Sequence, residues 1–129
     1  MIASQIIRSV LAPAVVTAAL AGCGATPPQP PLHEAKKLGA STSDISTECG
    51  LAYQVTAFPG GHGKALANLE TSAKASARSL ASVYDRNPSW IFQGETVHDV
   101  VRDALSMLRG CGLSHAADTL ERAISNHRS

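Results

Sequence analysis

Apolar positions along the chain recur at helical spacing in four runs separated by short breaks. Ser41, Thr42, Ser43 and Asp44 crowd one start site and offer several oxygens able to cap a helix N-terminus. Ile45, Cys49, Ala52, Tyr53 and Thr56 follow at three- and four-residue steps, which places them on one helical face. Phe58-Pro59-Gly60-Gly61 ends that run, since proline and paired glycines do not continue a helix. A second helix is predicted from about Lys64. Its apolar seam is Leu66, Leu69, Ala73, Ser76, Leu80 and Val83, a narrow stripe of the coiled-coil kind, with Lys74 and Arg78 opposite. Its many Ala and Ser residues allow neighbouring backbones to come close. It should end around Asp85-Arg86-Asn87.

Asn87-Pro88 reads as a cap followed by proline in a first turn. Trp90, Ile91 and Phe92 form a short apolar knot before Gly94. A third helix should start near Thr96, where Thr96 and Asp99 resemble a capping box. Val97, Val100, Val101, Ala104, Leu105 and Leu108 make its buried stripe, Arg109 complements its C-terminal dipole, and Gly110 is placed for a left-handed cap. Ser114 is the expected cap of a fourth helix with Ala117, Leu120 and Ile124 inward, and residues 126–129 should fray. There is no alternating strand pattern and no internal repeat. The expected fold is all-α: a small antiparallel four-helix bundle over residues 41–129.

Composition narrows the picture. A length of 129 residues suits one domain. Charged residues make up 16%, below the ~25% of average domains, and 44% are apolar, which argues against a disordered chain. Much of the apolar share is Ala, so the core should be small. A formal charge of +1 gives no electrostatic basis for a nucleic-acid partner.

Residues 1–22 read as an export signal. Arg8 is their only charged side chain, and an uncharged run of apolar and small residues extends from Val10 to Ala21. The run is shorter than the ~20 residues that a spanning helix needs. Leu20-Ala21-Gly22-Cys23, at the end of that run, resembles the lipobox of bacterial lipoproteins. The resemblance implies diacylglycerylation (often with palmitate) of the Cys23 thiol, cleavage before Cys23, and a domain outside the cytoplasm held to the cell membrane by lipid. Acyl chains contribute ~0.8 kcal/mol per buried methylene, so two chains anchor stably. A competing reading is ordinary signal cleavage after Ala19-Leu20-Ala21, which also fits the small-x-small pattern. Cleavage before Cys23 removes Arg8 and leaves the chain formally neutral, so no polybasic patch reinforces the lipid.

Residues 23–40 are then expected as a lipid-anchored tether. Pro27, Pro28, Pro30 and Pro31 fall within it and favour polyproline II. At ~3.1 Å per residue, residues 24–40 would hold a domain up to roughly 50 Å from the bilayer. If Cys23 carries lipid, Cys49 and Cys111 remain, and export favours their oxidation to one disulfide that staples the bundle. The rival redox or metal reading lacks a CxxC motif and an ordered set of histidine ligands.

Candidate chemistry is sparse. Gly60-Gly61-His62-Gly63-Lys64 precedes a helix and could cradle an anion, but Phe58 and Ala65 stand where a P-loop needs Gly and Ser or Thr. A plain interhelical loop is the simpler reading. Glu95, Asp99 and Asp103, at steps of four, would share one helix face beside His98 and Arg102. Such carboxylates do acid–base work only in a cleft, and a solvated charged face is the simpler reading. His33, His62, His98, His115 and His127 show no metal-ligand spacing, so no metal or cofactor is expected. No GxSxG or SxxK motif marks a nucleophile, so no catalytic residue is expected and the chain reads as a non-enzyme. Tyr84, Trp90 and Phe92 hold three of the five aromatics, and are the candidate partner surface or, alternatively, a plug at one end of the bundle. The functional expectation is a lipid-anchored envelope protein with a structural or protein-interaction role and a partner in the envelope. The alternative is a small-ligand-binding or sensor module using the interior or end of the bundle.

Overall fold

In a computed structural model of the chain, residues 28–57 and 63–128 are described. The signal-like segment, the lipobox-like tetrad with Cys23, Pro27 and most of the Gly60–Lys64 loop lie outside them. Four helices account for most of the described residues: α1 Leu32–Thr56, α2 Gly63–Arg86, α3 Val97–Gly110 and α4 Ser114–Arg128. A two-stranded antiparallel hairpin, β1 Ile91–Phe92 and β2 Glu95–Thr96, sits between α2 and α3. No helix among the described residues is long and apolar enough to cross a membrane.

α1 begins at Leu32 rather than Ser41, so the extended tether expected over residues 23–40 gives way to helix from Leu32. The proline pair ends in time: Pro31 is the N-cap, and its carbonyl accepts the first helical bond, from Ala35 at 2.9 Å. The four residues Ala35-Lys36-Lys37-Leu38 are good helix formers. Ser41 is a buried residue inside this helix and not a cap, and the Thr42 hydroxyl donates back to the Leu38 and Gly39 carbonyls. The buried stripe of α1 runs Glu34, Leu38, Ser41, Ile45, Glu48 or Cys49, and Ala52. Tyr53 is 60% exposed, and its hydroxyl donates to the Gly110 carbonyl at 3.1 Å.

α2 touches all three other helices. Its contact face carries Ala73, Ser76, Ala77, Leu80 and Val83, all buried. Three of these five are small, which lets the other helices approach the α2 backbone. The rest of the core includes Leu38, Ile45, Val97, Val101, Leu108, Leu113 and Leu120, with Ala104, Ala116 and Ala117 between them. At its ends α2 is tied by polar contacts. Arg86 pairs with the buried Glu34 of α1 at 3.3 Å. Glu70 accepts from the N–H groups of His115 and Ala116 at the start of α4.

The expected starts and ends hold in part. Thr96 is the N-cap of α3, its hydroxyl oxygen accepting from the Asp99 N–H at 3.1 Å. The glycine with positive φ after α3 is Gly112 (φ 85°), whereas Gly110 is helical. The cap moves because the helix runs one turn position further, with Cys111 as C-cap and the Leu113 N–H returning to the Leu108 carbonyl. α4 does not fray at 126–127, because His127 is held by the Tyr84 ring and by Asp85.

The sulfur atoms of Cys49 and Cys111 lie at disulfide distance, with Cα atoms 5.4 Å apart and a sequence separation of 62. Cys49 is buried on the inner face of α1, and Cys111 is buried in the turn joining α3 to α4.

Candidate functional site

The chain from Asn87 to Thr96 is folded by local rules into a support for α3. The Asn87 side chain accepts from the Ser89 N–H at 2.9 Å, closing a turn over Pro88. The Val97 and His98 N–H groups, at the open end of α3, donate to the Trp90 and Pro88 carbonyls at 2.7 and 2.9 Å. Phe92 pairs with Glu95 across Gln93 (φ 52°) and Gly94 (φ 84°). Two consecutive positive φ values mark the type I′ loop that matches strand twist. The sequence gives no alternation here because each strand has two residues. The Ile91 N–H donates to the Pro28 carbonyl at 2.8 Å, so the proline-rich segment docks on the hairpin.

This support places Phe92 against α1, near enough that a Cβ on Gly39 would lie 3.8 Å from the ring. Between α1, α3 and the hairpin lies a partly open groove of about 190 Å³. Its apolar lining is Ile45 of α1, Val100, Ala104 and Met107 of α3, and Phe92 of the hairpin. Thr42, Gln93, Glu95 and Asp103 supply polar groups. Met107 is 44% exposed, so the groove opens to solvent past its side chain.

The structure separates the three aromatics read as one surface. Tyr84 is 3% exposed and belongs to the core, which removes it from any partner surface. Its ring packs edge-on against His127 at 5.0 Å between centroids and lies 6.0 Å from His98. Trp90 and Phe92 are half-buried and pack against the core. Of the three, Phe92 reaches the groove.

The three carboxylates expected on one helix face are also separated. Glu95 lies in β2, outside the helix. Asp99 sits in the first turn of α3, with its carboxylate 3.5 Å from His98 Nδ1. Asp103 and Glu95 both line the groove. Hydrogen bonding and charge from the neighbouring Asp103 carboxylate hold Glu95 above the ordinary carboxylate range, with a further contribution from Asp99. Neither Glu95 nor Asp103 enters an ion pair with a basic side chain among the described residues. Spacing alone brought these two residues into view. Ile45, Val100 and Ala104 were read only as inward-facing helix positions and Met107 was not singled out, because nothing in a helical stripe tells a packed position from one beside a gap.

No protein-family model, curated protein or solved structure matches this chain. Among the described residues no group of His, Cys, Asp and Glu is arranged to hold a metal ion. The groove is therefore described by its own chemistry: one wall of aliphatic side chains, one aromatic ring and two adjacent carboxylates at the rim.

Two further carboxylates are buried away from the groove. Glu34 keeps its pairing with Arg86 but leaves Oε1 without a hydrogen bond. Glu48, between α1 and α2, accepts a short hydrogen bond from the Ser72 hydroxyl and likewise leaves Oε1 unpartnered. Burial pushes the Glu48 carboxyl above its ordinary range, the Ser72 bond opposes this in part, and Asp44 adds to it. Sequence reading passed over both residues, because glutamate is rarely buried.

Proposed function

We propose that the chain is an exported bacterial envelope protein, anchored through lipid on Cys23, whose helical domain binds a protein partner and performs no catalysis. The observation that carries this reading is the division of the three cysteines. Cys49 and Cys111 stand at disulfide distance, a pairing typical of oxidising compartments. The remaining cysteine, Cys23, ends an apolar run in the tetrad Leu20-Ala21-Gly22-Cys23. In this reading the four helices form an antiparallel bundle that the disulfide staples. The Glu34–Arg86 pair, which joins the start of α1 to the end of α2, supports that order.

The interaction role draws support from the groove, whose apolar wall and charged rim are the usual components of a side-chain-binding pocket. The alternative, a small-ligand or sensor module, would use the interior or an end of the bundle; the groove itself, at about 190 Å³, is smaller than the ~300–1,000 Å³ of pockets that enclose small-molecule ligands.

Metabolic labelling with an alkyne analogue of palmitate in a bacterial host tests the anchor. The wild-type chain should take up label and fractionate with membranes, and Cys23→Ser should lose the label. Absence of label on the wild type, or equal labelling of the variant, overturns the proposal.

A further inference from the structure

We propose that the groove between α1 and α3 receives an arginine side chain presented by the protein partner. Its methylene stem would lie along Ile45, Val100 and Met107, and its guanidinium between Glu95 and Asp103. This inference rests on the interaction reading above and specifies what the partner offers.

Size comes first. A dry cavity of ~150 Å³ takes a molecule as small as benzene, and the groove holds about 190 Å³ with one side open. That is room for one side chain, with the rest of the entering molecule left outside. Charge comes second. Both carboxylates line the groove, and neither is paired with a basic side chain among the described residues. The basic groups nearest in sequence are turned elsewhere: Arg109 pairs with Asp118 and Glu121 of α4, and Arg102 lies with Leu105 and Ser106 on the α4 side of α3. A cation entering between Glu95 and Asp103 would relieve their mutual repulsion.

Shape selects the cation. Arginine presents a planar fork of donors that engages two carboxylates at once, and its guanidinium also stacks on aromatic rings such as Phe92. A long apolar stem with a charged head matches a groove with an apolar floor and an acidic rim. The backbone that carries the receiving groups is held in advance. Glu95 follows the tight Gln93-Gly94 loop, and Asp103 is mid-helix on α3. Little ordering is then needed on binding.

The test uses the protein purified from membranes in detergent, with ¹³C-methyl methionine. Met1 and Met107 are the only methionines of the sequence and cleavage before Cys23 removes Met1, so Met107 reports on the groove. The probe is Nα-acetyl-arginine methylamide. Comparators are its citrulline counterpart, which is isosteric and neutral, and n-butylammonium. The arginine probe should shift the Met107 methyl signal saturably. The citrulline probe and butylammonium should bind at least about fivefold more weakly, and Glu95→Gln and Asp103→Asn should each weaken the arginine probe by about the same factor. Amide spectra of the variants should match the parent, which separates lost binding from lost folding. Four results overturn the inference: no saturable shift up to about 100 mM arginine probe, equal binding of citrulline, equal or tighter binding of butylammonium, or concentration-dependent self-association that covers Met107 without probe. None of these alters the palmitate-labelling result, so failure here and failure of the anchor are read separately.

Discussion

The Glu70 side chain accepts hydrogen bonds from the backbone N–H groups of His115 and of Ala116, its Oε2 and Oε1 each lying 3.2 Å from the donor. A residue of α2 thus caps α4 across 45 positions of sequence. The arrangement satisfies donors that no intrahelical carbonyl can reach and puts negative charge at the positive end of the helix dipole. Ser114, the cap expected from local sequence, is exposed and takes no such role.

Glu70→Ala should therefore cost about 1–2 kcal/mol of unfolding free energy in urea. Ser114→Ala should change it by less than about 0.5 kcal/mol. Equal losses in the two variants would return the capping role to Ser114.

Glu48 should make stability depend on pH. Burial raises its carboxyl above the ordinary value in the folded chain, against an unperturbed group in the unfolded one. The folded state therefore holds the proton more tightly. This favours folding in acid, below the unfolded value of 4.5, and the advantage is lost as pH rises through the higher folded value. Glu48→Gln keeps a group that can accept from Ser72 while removing the charge. Urea unfolding from pH 4 upward should show the variant gaining on the parent as pH rises. A constant difference across that range would mean that Glu48 does not titrate differently on folding.

Gly112 and Gly110 should respond in opposite directions. Gly112 has φ of 85°, where a Cβ is strained, so Gly112→Ala should cost about 1 kcal/mol. Gly110 is helical, and a Cβ there would meet the Tyr53 hydroxyl at an ordinary 3.9 Å. Gly110→Ala should be neutral or stabilising by up to about 1 kcal/mol. Thermal melts of the two variants check both signs.

The legible parts of this fold were those with dense, unmixed signals. The seam of α2, Ser76 apart, and the Val/Leu stripe of α3 carry their period in apolar residues, and Thr96 with Asp99 marks the start of α3 three residues apart. The first half of α1 was not legible, because its buried stripe includes Glu34, Ser41 and Glu48, polar residues that break the apolar period. Nearby prolines and a Ser/Thr cluster pointed to a later start. The hairpin escaped because two-residue strands show no alternation. The cap from Glu70 is non-local, so no window along the chain contains it. Of the candidate site, Phe92, Glu95 and Asp103 were singled out by residue type and spacing. The gap they line lies between α1, α3 and the hairpin, and is a property of tertiary packing.

The Cys49–Cys111 pair closes a loop of 62 residues. In the chain-entropy account such a closure is worth about 4 kcal/mol. Protein purified without reductant should show neither thiol in a native assay, and reduction should lower stability by several kcal/mol. Two thiols titrating before reduction would remove the staple from the account.

The central claim is that this helical domain hangs from a membrane by lipid on Cys23. Intact mass of the protein extracted from membranes tests it most directly. The account predicts a chain that starts at Cys23, carries diacylglycerol and acyl mass on that residue, and lacks the two hydrogens lost in one disulfide. An unacylated chain, starting at Gly22 and recovered in the soluble fraction, would contradict it.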